Sequence, residues 1–106
     1  MQVFDLKEMK SFPYEERGKN VFYKANEFKI RIIELPPGGK IPSCEMASYV
    51  IFNVIDGSVE VQVNQKNAAI KEGHCLITAP ATISMKTEEG VKIMGIQIEK
   101  NEYKVA

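Results

Sequence analysis

Gly38-Gly39-Lys40-Ile41-Pro42-Ser43-Cys44-Glu45-Met46-Ala47-Ser48-Tyr49-Val50-Ile51-Phe52-Asn53-Val54-Ile55-Asp56-Gly57 is the stretch on which the reading of this chain turns. Its even positions Cys44, Met46, Val50, Phe52 and Val54 are apolar, and alternate residues of a strand share one face. The stretch reads as strand from Cys44 to Ile55, with a kink at Ala47-Ser48 and the even positions turned to a core. Asp56-Gly57 predicts a hairpin at its end, because a tight type I′ turn needs positive φ at both central residues. The other parity is apolar too: Tyr49, Ile51 and Ile55 stand where a half-solvated strand would carry polar groups. Something is expected to cover that face, either the N-terminal arm or a second subunit.

The same punctuation runs outward in both directions. Phe28, Ile30 and Ile32 alternate with Lys29 and Arg31 until Pro36-Pro37-Gly38-Gly39 stops the run. Val59, Val61 and Val63 alternate with Glu60 and Gln62 before a turn at residues 64–67. Short strands follow at 68–70, 75–78 and around Ile83 and Met85, with Glu72-Gly73, Ala79-Pro80 and Glu88-Glu89-Gly90 as breaks. In the last strand, Val91 to Glu99, Val91 and Ile93 share one parity while Ile96 and Ile98 have the other. Gly95 sits at the switch and predicts a bulge. No useful helical periodicity occurs. Seven to nine short strands at close spacing make the chain all-β, a sandwich or barrel. Residues 1–25 are mixed and more charged, and read as an N-terminal arm carrying a strand near Val21 to Tyr23.

Composition narrows the functions. A chain of 106 residues allows one domain, 1–106. Fourteen basic side chains balance fourteen acidic ones, which argues against nucleic acid, whose general binders rest on clustered Lys and Arg. No apolar run approaches the roughly 20 residues of a membrane span, and the charged start lacks the apolar stretch of a secretory signal. Cys44 and Cys75 are too few for a disulfide scaffold, and reduced thiols in a cytoplasm are the expectation.

From Gly38 the spacing resembles the cupin family, and a small RmlC-like member in particular. The family's first motif is Gly, five residues, His-x-His, three or four residues, Glu, six residues, Gly. Here Gly38 is followed by five residues and Cys44-Glu45-Met46, then three to Val50 and six to Gly57. The second motif is Gly, five residues, Pro, and a His about five later. Gly73 leads to Pro80 with one extra residue, and the His position falls on Met85 or Ser84 according to the anchor chosen. A frame starting at Gly39 would put Glu45 and Ala47 at the two His positions, but parity turns Glu45 outward. The resemblance spans about residues 28–98. It implies a cupin-type jelly-roll β-barrel (a double-stranded β-helix) with a core over 28–98, and, since small cupins are commonly dimers, a homodimer.

A cupin metal site uses three imidazoles and a carboxylate. This chain has one histidine, so a three-His site within one subunit is excluded by counting. The expected cofactor and metal are therefore none. Cys44, Met46 and Met85 could instead present sulfur to a soft ion such as Cu(I), or simply fill apolar space, as Met and free Cys usually do. His74 reads as a turn residue or a general base, and Cys75 as a structural or a reactive thiol. A Cys44–Cys75 bond would need neighbouring strands and an oxidising compartment. The expected pocket is Cys44, Met46, Val50, Phe52, Ser84 and Met85, and the expected function is binding of a small, rather apolar ligand in the barrel. Two alternatives stand beside it: an enzyme that is metal-independent or uses a soft metal at Cys44 and Met46, and an interaction protein whose barrel is plugged by side chains.

Overall fold

The computed structural model describes residues 1–99, and the last seven residues of the domain expected over 1–106 lie outside the described residues. A 3-10 segment, Tyr14–Asn20, precedes β1 (Val21–Lys24), β2 (Phe28–Leu35), β3 (Lys40–Met46), β4 (Val50–Val63), β5 (Lys66–Lys71), β6 (Cys75–Thr78), β7 (Ala81–Lys86) and β8 (Val91–Ile98). All pairings are antiparallel. One sheet runs β1-β2-β8-β4-β6 and the other β3-β7-β4-β5, with β4 shared between them. This is a curled, all-β jelly roll.

The sharing of β4 corrects the reading of Asp56-Gly57. No hairpin forms there: β4 continues for 14 residues through the pair. A type I′ turn needs two consecutive residues at positive φ, and only Gly57 (φ 82) has one. The β4–β8 register shifts between Val54 and Asp56, and beyond this bulge the inward parity changes from Val54 to Val59 and Val61. Gly57 lets β4 bend out of the first sheet into the second, where Ser58 to Val63 pair with β5. The two-residue hairpin turn lies at Asn64 (φ 48) and Gln65 (φ 73), closing Val63 against Lys66.

Two other local expectations change. The single strand from Cys44 is two strands, with β3 starting at Lys40 and a break after Met46. Gly95 is not a bulge, since β8 pairs with β2 in unbroken register from Phe28↔Ile98 to Leu35↔Val91. The inward row of β8 runs Val91, Ile93, Gly95, Gln97, and Ile96 and Ile98 belong to the outer face.

The core fills one end of the barrel. Leu35, Val54, Val59, Val61, Val91 and Ile93 are all buried there. Their rows follow the registers Leu35↔Val91↔Gly57 and Ile33↔Ile93↔Val54. The N-terminal arm crosses the outer face of β2 and β8. Lys92 Nζ donates to the Lys7 carbonyl (2.8 Å), Ser11 Oγ donates to Glu34 (3.1 Å), and Phe4 packs edge-on to Phe22. Ile32, on that outer face, is only 1% exposed as a result. The arm stops short of Tyr49, Ile77 and Ile98, which remain exposed.

Candidate functional site

Against the packed core the barrel holds a cavity of about 150 Å³. It lies between the two sheets, and Phe12, Tyr14, Arg17 and Asn20 close one side of it. These four come from the chain that precedes β1. β1 pairs with residues 29–31 of β2, and among the described residues no strand pairs with the rest of that edge; the 3-10 segment stands beside it. Asn20, itself buried, ties this cover down: its Oδ1 accepts the Phe12 N–H (2.7 Å) and its Nδ2 donates to the Phe12 carbonyl (3.1 Å).

All six residues of the expected pocket border this cavity. They do so unequally. Val50, Phe52 and Met85 are buried inward residues, and Met46 is half-buried and packs on the core. Cys44 pairs with Ile83 in register, so both face inward, but β3 is an edge strand and Cys44 is solvent-exposed at the mouth. Ser84 turns the other way: its hydroxyl bonds Gln62 (3.3 Å) on the outside of the second sheet. Met85 is therefore the inward residue where the two countings of the second motif diverged.

The donor set at the positions of the family's metal ligands is Cys44, Met46, Val50 and Met85, which does not fit three imidazoles and a carboxylate. The one imidazole, His74, is exposed in the turn before β6 and does not line the cavity. Its Nδ1 accepts the Lys71 backbone N–H (3.2 Å), and the His74 backbone N–H donates to the Lys71 carbonyl (2.8 Å). Among the described residues no three His, Cys, Asp or Glu side chains gather as a metal site would require. Cys75 is exposed and free, so it is not a buried structural thiol. β3 and β6 are not neighbours, and both cysteines are unpaired.

Sequence reasoning missed the polar side of the cavity. In β2 the apolar alternation Phe28, Ile30, Ile32 suggested that Arg31 faced solvent. The register places Arg31 beside Gly95 and Phe52 on the inward row instead, continued by Ile33 and Leu35. The apolar odd positions 33 and 35 were the available signal. Gly95 lies between Arg31 and Phe52: a Cβ there would be in ordinary contact with Arg31 Cγ and Phe52 Cδ1, each at 3.6 Å, and would press on Ile33 Cδ1 at 3.3 Å. Arg31 Nη2 donates to Gln97 Oε1 at 3.4 Å, a long bond. Burial first, and the nearby Arg17 second, lower the pKa of Arg31 from its ordinary value, while Glu99 opposes them.

No protein-family model and no curated protein matches this sequence. Solved structures do match in shape. The TT1209 protein of Thermus thermophilus superposes with a TM-score of 0.81 at 18% identity, covering 95% of this chain and 100% of that one. A cupin superfamily protein from Desulfitobacterium hafniense gives 0.70 at 10% identity over 76% of this chain and 74% of that one. The Cnp3 cupin domain of Schizosaccharomyces pombe gives 0.68 at 21% identity, with 76% of this chain matching 61% of that one. At such identities the likeness is one of architecture, and it agrees with the jelly roll and with the glycine frame of Gly38, Gly57 and Gly73: this chain has the cupin fold.

Proposed function

We propose that the barrel binds a small, mostly apolar organic molecule. One observation carries this reading. The barrel holds a cavity of about 150 Å³ directly against the packed core, walled by Ile33, Val50, Phe52, Ile83 and Met85. A cavity of about this volume accommodates a benzene-sized ring. The space also weighs against a barrel plugged throughout by side chains. A fragment screen followed by amide chemical shifts tests the reading. Hits should move the signals of Val50, Phe52 and Ile83, and Met46→Trp, which fills the mouth, should abolish them. Hits confined to the outer surface, or none, would refute it.

A soft-metal site is a second reading, supported by the three sulfur side chains of Cys44, Met46 and Met85 on the one cavity. Stoichiometric Cu(I) binding lost in Cys44→Ser would favour it, and the absence of such binding would remove it. We further propose a homodimer through the outer face of the first sheet. Its Ile51↔Ile77 and Ile51↔Ile96 pairs form an apolar row flanked by Tyr49 and Ile98, and the arm leaves Tyr49, Ile77 and Ile98 uncovered. Contiguous apolar surface of this kind marks interfaces more often than solvent-facing faces. The described residues contain no helix long and apolar enough to cross a membrane. A cytoplasmic location is the reading that suits two unpaired thiols.

A further inference from the structure

The cavity is apolar except at one side, where two arginines stand against one exposed carboxylate, Glu34. Arg31 and Arg17 both line it, accompanied by the amides of Gln97 and Asn20. Arg17 is anchored, with Nη1 donating to the Tyr14 carbonyl (3.0 Å) and the guanidinium over the Tyr14 ring at 4.2 Å. Asn20 is tied to the Phe12 backbone through both its Oδ1 and its Nδ2. Arg31 is different: a guanidinium carries five N–H donors, and the one side-chain bond it makes among the described residues is the long one to Gln97.

Among the described residues no carboxylate is bonded to either arginine. The ion pairs among the described residues are Lys19–Glu16, Lys29–Glu99 and Lys86–Glu60. Glu34 borders the cavity, but it is exposed and accepts from Ser11 on the outer face. Glu99 is near enough to be felt by Arg31, and its buried Oε1 has Lys29 Nζ at 3.6 Å and no hydrogen bond. Arg31, partly buried, and Arg17, exposed at the rim, repel each other, and the partial burial of Arg31 weakens the screening that water would give. The fold holds them there through the β2–β8 register, which sets Arg31 beside Gly95 on the inward row, and through the Asn20 latch, which fixes the segment bearing Arg17.

We propose that the ligand is a small organic carboxylate. Its apolar part, of about six carbons, packs against Phe52, Ile33, Ile83 and Met85, and its carboxylate bonds Arg31 and Gln97 with Arg17 at the rim. This rests on the barrel-binding reading above and adds the ligand's charge and orientation to it. A planar guanidinium fork matches a carboxylate in two parallel bonds. The anion relieves the arginine pair, and the apolar wall excludes ions that are charged throughout.

Benzoate and benzamide, equal in size and shape but different in charge, are the probes, with binding followed by calorimetry and amide shifts. Benzoate should bind about tenfold or more tighter than benzamide, as expected for hydrogen bonds to a charged group. Arg31→Gln should lower benzoate affinity much more than benzamide affinity and so remove most of the preference for benzoate. Arg17→Gln, on the cover and outside the barrel wall, should weaken benzoate by a smaller factor and gives a second reading if Arg31→Gln does not fold. Glu99→Gln should strengthen benzoate. Equal binding of the two probes by the unmodified protein, with shifts at Val50 and Phe52, would overturn the carboxylate proposal while leaving the barrel-binding reading in place. Binding of neither, or binding that Met46→Trp does not affect, would overturn both.

Discussion

Replacing Gly57 by alanine adds one methyl group at the point where β4 passes from one sheet to the other. Two costs are separable. The first is conformational: Gly57 sits at φ 82, and an L-residue held in the left-handed region loses roughly 1–2 kcal/mol. The second is steric. The new Cβ would overlap the Gly90 carbonyl oxygen and lie 3.0 Å from both Gly90 C and Val91 Cα. All three are backbone atoms, so no side chain can swing aside. The β4–β8 pairing itself must shift, and forced overpacking costs about 1–3 kcal/mol. The total for Gly57→Ala is about 2–5 kcal/mol. Gly38 (φ 80) and Gly73 (φ 87) share the conformation but have nothing within 4 Å of the Cβ position. Gly38→Ala and Gly73→Ala should therefore lose only the conformational part, about 1–2 kcal/mol. Urea unfolding of the three variants, monitored by far-UV circular dichroism, gives the comparison, and each kcal/mol should also lower Tm by roughly 4 °C. If Gly57→Ala is no less stable than Gly73→Ala, the close approach of β4 to the 90–91 turn is wrong. The account of how one strand serves both sheets would fall with it.

Phe52→Ala removes a buried ring beside Gly95 and should cost about 3 kcal/mol in the same unfolding assay, where a loss below about 1 kcal/mol would contradict its inward placement. Ile51→Lys puts a charge in the apolar outer row and should convert a dimer into monomers or aggregate, since a charge against an apolar surface is strongly disfavoured; sedimentation of the unmodified chain at a single-subunit mass of 11.9 kDa would refute the dimer. Cys44 and Cys75 should both react with a thiol reagent in the folded protein, and a stoichiometry below two without denaturant would contradict their exposure. Asn20→Ala breaks both bonds to the Phe12 backbone and should destabilise by about 1–3 kcal/mol, with faster amide exchange at Phe12; unchanged exchange would mean that Asn20 does not hold the cover.

Much of the architecture was legible because strand periodicity and turn chemistry are local. The breaks at 36–39, 72–73, 79–80 and 88–90 all separate strands as read, and the 28–98 span coincides with β2 to β8. The inward parity of Val50, Phe52 and Val54 was legible for the same reason: three consecutive even apolar positions, all buried. The site was less so. Where both parities of a strand are apolar, as around Ile32 and Ile33, periodicity does not choose the inner face. Arg31 consequently read as a solvent residue. Asp56-Gly57 failed differently, since Gly at positive φ serves a bulge as well as a turn, and only the partner strands distinguish them.

The sequence by itself determined that the chain is all-β with a cupin-like glycine frame, and that one histidine cannot supply three imidazole ligands. Both follow from short-range pattern and from counting. Tertiary structure alone decided that β4 runs on through Gly57, that the arm covers Ile32 but leaves Ile77 bare, and that Arg31 and Arg17 meet at one cavity. Each of these depends on residues far apart in the chain. Arg31 faces inward because Gly95 and Phe52, 64 and 21 positions later, stand beside it in register, and no local period encodes which strands will be neighbours.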